Sequence, residues 1–239
     1  MKYFLFILLF LPAILFSEEM KFDITYLGIN IVTATFKLSS DNDSLSVYAY
    51  NNSISRILKK MNNHYTATYP SNDSLFLPKS YKKDIDQKSY VEYRIVQYER
   101  MKKRAFRTDY LKVSKKYYTI STDVRDFFST LMYLRTNKAD EINFNLDVNS
   151  ALWNGKSVFL KDEIVKMGKR QYACKKYKIT YKKETFGESE NTDMLTNNLV
   201  GKNKVLYLWF TDDKFRVPIK SKFAMKPFSV YWKLKEYKN

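Results

Sequence analysis

Apolar and polar residues alternate with a period of two along most of the chain, which predicts a protein built mainly of strands. Phe22–Tyr26 and Ile31–Leu38 read as two strands around the turn Leu27-Gly28-Ile29-Asn30. In the second, Val32, Ala34, Phe36 and Leu38 point one way and Thr33, Thr35 and Lys37 the other, as in a half-buried strand. After the Asx-rich turn at 39–44, alternation resumes at Leu45, Val47 and Ala49. Ile54–Met61 reads as either a short helix or an irregular edge. Tyr65–Tyr69 is strand-like, and a second turn cluster, 71–74, follows it. Tyr90–Arg104 reads as one long strand with Val91, Tyr93, Ile95 and Gln97 sharing a side. Phe106–Val113 and Lys116–Ile120 continue the strand pattern.

One segment changes period. Val124, Phe127, Phe128, Leu131 and Leu134 or Arg135 recur at spacings of three and four. With Thr122 or Asp123 as the cap, they predict an amphipathic helix of about 13 residues ending near Thr136. Beyond it, Glu141–Val148 and Lys156–Leu160 alternate again, and Trp153-Asn154-Gly155-Lys156 reads as a hairpin turn because Asn-Gly favours one. Glu163–Met167 and Tyr172–Tyr181 pair around Gly168-Lys169. The polar stretch Glu184–Lys204 reads as a long mobile loop. Val205–Phe210 and Phe215–Lys222 pair around 211–214, and Phe228–Leu234 closes the chain. No Pro-, Gly- or Ser-rich linker divides this pattern. The expectation is a single, mainly β domain over 18–239, a curved antiparallel sheet or barrel-like sandwich with one main α-helix.

The N-terminus predicts a compartment. Met1-Lys2 precedes an apolar run, Tyr3 to Phe16, that ends at Ser17. This is the build of a secretory signal peptide over 1–17, and it is short for a bilayer span. The mature chain is expected to be exported, periplasmic or associated with the envelope of a Gram-negative bacterium, with no transmembrane span.

Composition narrows the chemistry. The lone Cys174 excludes an internal disulfide framework and a cysteine zinc cluster, and the lone His64 excludes a site needing two imidazoles. His64 reads as a surface residue and Cys174 as a buried thiol. No phosphate-cradling loop or nucleophile elbow occurs, and no cofactor is expected. The formal net charge is +17. For an exported chain this points away from nucleic acid and toward lipid head groups, acidic glycans or acidic envelope proteins. Lysines alternating with Tyr and Trp, as in Tyr231-Trp232-Lys233, suit sugar or head-group contact and equally the two faces of a sheet.

Four segments taken in order resemble a known family. They are Tyr26–Ile29 with Thr33–Phe36, the helix Asp123–Arg135, Trp153–Phe159, and Leu208–Asp213 with Arg216–Ile219. Together they resemble the exported bacterial family called domain of unknown function 3108. The resemblance implies a curved antiparallel sheet similar to that of a capsule-operon lipoprotein, and it implies no catalytic residues.

The expected function is a non-catalytic envelope protein that binds an amphiphilic or acidic lipid or glycan. The alternatives are a scaffold for envelope or capsule assembly and a carboxylate-dependent hydrolase. Candidate ligand contacts are Trp209, Asp212, Asp213, Arg216, Arg135 and Tyr133, with no metal site. Asp212-Asp213 suits either a shared-proton pair or a hairpin turn. Arg216 suits either a cross-strand ion pair with them or an anionic ligand.

Overall fold

The computed structural model describes residues 16–51, 60–71, 73–148, 151–185, 190, 192–225 and 228–239. Residues 1–15 of the predicted signal peptide and most of Ile54–Met61 lie outside these residues, while Phe16 and Ser17 begin the first strand. The first half runs β1 (Phe16–Tyr26), β2 (Ile29–Ser39), β3 (Ser44–Asn51), β4 (Met61–Thr68), β5 (Ser80–Gln87), β6 (Tyr90–Glu99), β7 (Arg104–Asp109) and β8 (Ser114–Thr119). Helix α1 (Phe127–Thr136) precedes β9 (Glu141–Val148), β10 (Ala151–Met167) and β11 (Arg170–Lys183). Helix α2 (Met194–Leu199) precedes β12 (Val205–Thr211), β13 (Pro218–Met225) and β14 (Phe228–Lys238).

The fourteen strands among the described residues join one antiparallel sheet in the order β8-β7-β6-β5-β4-β3-β2-β1-β14-β13-β12-β11-β10-β9. The sheet is open, with β8 and β9 as its edges, rather than a closed barrel or a sandwich. Side chains span the gap between the edges: Tyr118 of β8 and Tyr98 of β6 both donate to Asp147 of β9.

Local sequence explains most of the strands. Leu27 and Gly28 both take positive φ, 53° and 79°, as a two-residue hairpin turn requires, so β1 and β2 run closer to the turn than the alternation alone suggests. The inner positions Val32, Ala34, Phe36 and Leu38 are buried as read. Phe36 meets Phe22 and Phe128 edge to face, at centroid distances of 5.3 and 5.6 Å, and Phe128 lies 4.7 Å from Tyr65. Burying each such ring contributes about 1.5–3 kcal/mol. This aromatic cluster seats α1 against the inner face.

Five sequence expectations need correction. First, α1 begins later than predicted and is capped by Asp126, whose Oδ1 accepts from the Phe128 and Ser129 amides at 2.9 and 3.0 Å. The cause is β9: the Arg125 amide donates to Asn145 O and the Asp147 amide to Arg125 O, which holds 124–126 extended. Second, Trp153–Lys156 is no turn. It lies within β10, where the ring of Phe144 occupies the space a Cβ at Gly155 would need, with the nearest ring carbon at 2.0 Å.

Third, Tyr90–Arg104 breaks at a 3₁₀ turn, Arg100–Lys102, and its buried side is Glu92, Arg94, Val96 and Tyr98, not Val91, Tyr93, Ile95 and Gln97. Fourth, β5 was not foreseen, because its buried positions Tyr81, Lys83, Ile85 and Gln87 include a charge and an amide. Fifth, Glu184–Lys204 carries a second helix, α2, capped by the fully buried Asp193.

Between sheet and helices the interior is filled by side chains. Among the described residues, two voids there hold only about 30 Å³ each, one walled by Phe22, Phe36, Phe127 and Trp232, the other by Tyr98, Arg94 and Asp147. Neither is large enough for a lipid or sugar.

Candidate functional site

The sequence-predicted residues fall into three places. Asp213 closes the β12–β13 turn, its Oδ1 accepting from Thr211 Oγ1 at 3.0 Å and from the Phe215 and Arg216 amides at 2.9 Å each. Asp212 is exposed, 3.9 Å from Lys175. The two carboxylates are thus engaged separately. Trp209 lies on the outer face of the sheet beneath Lys176 and Lys220.

Arg216, Arg135 and Tyr133 gather around the end of α1. The expected ion pair between Arg216 and the Asp pair is not formed. Arg216 instead donates from Nε to Arg135 O at 2.8 Å and from Nη2 to Asn137 O and Tyr177 Oη at 3.3 Å each. Its guanidinium covers carbonyls that the helix leaves without partners. A positive φ of 44° sets this direction. Arg135 donates to Phe215 O at 2.9 Å and to Glu18 Oε2 at 2.6 Å. Tyr133 lies under the Arg125 guanidinium, 3.8 Å from its ring centroid. One helix end, the β12–β13 turn and the start of β1 are thereby locked together.

Two open hollows flank this lock. One, of about 450 Å³, is bordered by Arg135, Arg216, Lys138, Lys214 and Glu18. The other, of about 820 Å³, lies between the β10–β11 hairpin tip and β14. Lys166, Lys169, Arg170, Lys233 and Lys235 supply its basic rim, which Asp213 and Glu236 also border, and Met167, Tyr172, Val217, Ile219 and Leu234 its apolar wall. Phe215 and Tyr237 border both hollows, and Phe215 keeps 42% of its surface exposed. Five basic and seven aromatic or aliphatic side chains, against two carboxylates, around one concavity suit a ligand with an acidic head and an apolar body. The sequence signal for it was the density of Lys and Arg around Gly168, which became a site only once β14 folded beside that hairpin.

A second assembly was missed altogether. Inside the sheet, Lys83 Nζ lies 2.7 Å from Asp193 Oδ2 and 3.2 Å from Glu92 Oε2. Arg94 reaches Glu92 at 2.6 Å and Glu190 at 3.0 Å, and Arg107 reaches Glu190 at 3.1 Å. Burial alone would raise the Asp193 carboxyl, but Lys83 and the hydroxyls of Thr196 and Tyr65 hold it below the usual range. Burial raises Asp147, against the hydroxyls of Tyr118 and Tyr98. These charges bind the 190–199 segment to β5 and β6. Both phases of β6 contain apolar residues, so alternation could not reveal which side was buried.

The remaining candidates are quiet. His64 is half-buried, with Nε2 2.7 Å from Ser46 Oγ. Cys174 is buried, and desolvation pushes its thiol up to about 11. Among the described residues, no group of His, Cys, Asp and Glu could hold a metal, and no helix is long and apolar enough to cross a membrane.

The DUF3108 family model, described as a protein of unknown function, matches residues 21–228. No curated protein matches the chain. Among solved structures, the chain is similar to a β-barrel-like protein of domain of unknown function DUF1849 from Brucella abortus. The TM-score is 0.58 and the identity 10%, over 93% of this chain and 97% of that one. A candidate lipoprotein from Parabacteroides distasonis matches with a TM-score of 0.35 and 9% identity, over 94% of this chain and 96% of that one. The Brucella likeness agrees with the long antiparallel sheet and speaks to fold alone.

Proposed function

The chain belongs to the DUF3108 family, and on that footing we propose that it is an exported, non-catalytic envelope protein that holds an acidic amphiphile in the two hollows that Phe215 and Tyr237 both border. Residues 18–239 act as one unit in this reading, released into the periplasm when the apolar segment before Ser17 is removed. The observation that carries it is the larger hollow, about 820 Å³, with a Lys/Arg rim over an apolar wall. The filled interior leaves the open end of the sheet as the place for a ligand. Asp213 is committed to its turn and Asp212 lies 3.9 Å from Lys175, which weighs against a hydrolase built on this pair of carboxylates.

The test is titration with monomeric lysophosphatidylglycerol and, in parallel, its neutral choline counterpart. The anionic lipid binds saturably and the neutral one more weakly. Lys169→Gln with Arg170→Gln weakens the anionic lipid about tenfold or more, since each basic group near an anionic head contributes about 1 kcal/mol. Equal binding of the two lipids, or no binding of either, contradicts the proposal.

One feature favours a second reading, a scaffold role. Strand β8 is an open edge with nearly every residue exposed, and Tyr110, Leu111 and Val113 are exposed beside it. A partner strand could add there, although Lys115 and Lys116 guard the edge.

A further inference from the structure

The outer face of β10–β14 carries lysines in two rows that cross the strands. In one row, Lys161 pairs with Lys176, Lys176 with Trp209, Trp209 with Lys220, and Lys220 with Lys233. In the other, Lys178 pairs with Tyr207, Tyr207 with Lys222, and Lys222 with Tyr231. Like charges directly opposite on neighbouring strands destabilise a sheet, and this face does so twice, at Lys161–Lys176 and Lys220–Lys233.

Aromatic rings hold the ammonium groups without neutralising them. Lys176 and Lys220 share the Trp209 indole, with Nζ atoms 4.8 and 4.5 Å from its centroid. Lys176 also lies 5.2 Å from the Tyr207 ring, and Lys222 5.7 Å from that of Tyr231. Carboxylates are few. Glu163 lies 3.4 Å from Lys161 and 3.8 Å from Lys176. Asp23, on the strand beyond, is paired with Lys235 at 3.6 Å. Among the described residues, Lys178, Lys220, Lys222 and Lys233 have no carboxylate within ion-pair distance.

We propose that this lysine–aromatic lattice docks a linear polyanion of the acidic-polysaccharide class, lying across β10–β14 at right angles to the strands. The first row spans five strands, roughly 19 Å at the spacing of a sheet, so a chain with regularly repeated acidic groups meets a cation at most strands it crosses. The row ends at β1, where Asp23 faces Lys233, and on β5 of the same outer face Lys82 is accompanied by Asp84 and Asp86. A broad anionic bilayer over the whole face would meet those carboxylates, whereas a chain segment confined to β10–β14 does not. The strip also has no large exposed apolar side chain to enter a membrane: Trp209 is buried, and Tyr207 and Tyr231 are half-buried. This surface is separate from the hollows; only Lys233 borders both, and it is left unchanged in the test.

The test uses the mature chain, oligoalginate as the probe, and a neutral maltooligosaccharide and phosphatidylglycerol vesicles as controls. Lys178→Gln, Lys220→Gln and Lys222→Gln are combined in one variant. A second variant removes equal charge from the far end of the sheet, with Lys88→Gln, Lys102→Gln and Lys112→Gln. Oligoalginate binding weakens about tenfold or more in the first variant and less than about threefold in the second, and the slope of log Kd against log salt falls in the first. Thermal unfolding shows that the first variant folds, with its melting temperature held or raised by the loss of opposed charge. Equal weakening in both variants overturns the proposal in favour of diffuse net charge. No oligoalginate binding, with vesicle binding that depends on the same three lysines, overturns it in favour of a lipid surface.

Discussion

Lys83 and Asp193 form a fully enclosed ion pair, 2.7 Å between Nζ and Oδ2, joining β5 to the cap of α2 across 110 residues of sequence. The pair is part of a larger set, because Lys83 also contacts Glu92 and Thr192. Removing one member leaves buried charges without compensation. Lys83→Met is expected to cost about 3–5 kcal/mol in urea unfolding. The Asp193 carboxyl is held low, so its contribution is complete above the ordinary carboxylate range and is lost as pH falls through its folded pKa. The acid arm of the stability profile should therefore shrink in Asp193→Asn, a change read by unfolding midpoints measured below pH 5.

Asp126 carries the opposite sign. Complete burial raises it to about 6, against the amides and Ser129 hydroxyl that donate to it. Its folded pKa lies above the unfolded one, so the stability it contributes is full below pH 4 and is lost as pH rises through about 6. A shift of this size amounts to about 3 kcal/mol. Asp126→Asn keeps an acceptor for the helix amides and should flatten the profile between pH 4 and 6. Asp126→Ala removes the cap as well and should destabilise at every pH, by about 1–2 kcal/mol from the cap alone.

Gly155 and Phe144 occupy one space on neighbouring strands. Gly155→Ala should cost about 1–3 kcal/mol, as overpacking does. The cost should fall when Phe144 is also shortened to Leu, and a double-mutant cycle measures that coupling.

The Cys174 thiol, buried and pushed up to about 11, should react with a disulfide reagent only as fast as the protein opens. Full reaction within seconds under native conditions would show the residue to be accessible.

The sequence made the first strands legible because their buried positions are mostly apolar, as in Val32, Ala34, Phe36 and Leu38. The α1 stripe was legible for the same reason, although its cap was not, since pairing between Arg125 and β9 is a long-range event. β5 and the true face of β6 were hidden, because Lys83, Gln87, Glu92 and Arg94 occupy inward positions, and Lys83, Gln87 and Arg94 meet Asp193, Met194 and Glu190 from far along the chain. Asn154-Gly155 carried a strong local turn signal that the Phe144 ring overrode. Of the site, Arg135, Arg216 and Asp213 were named in advance and do border the hollows. Lys169, Arg170 and Phe215 were not named, since only folding brings the β10–β11 tip to β14.

Native mass spectrometry of the protein, released from the envelope of its own host with minimal detergent, tests the central claim most directly. The account predicts one anionic amphiphile per chain, depleted in Lys169→Gln/Arg170→Gln. A bare chain mass, or a bound species retained equally by that variant, would contradict it.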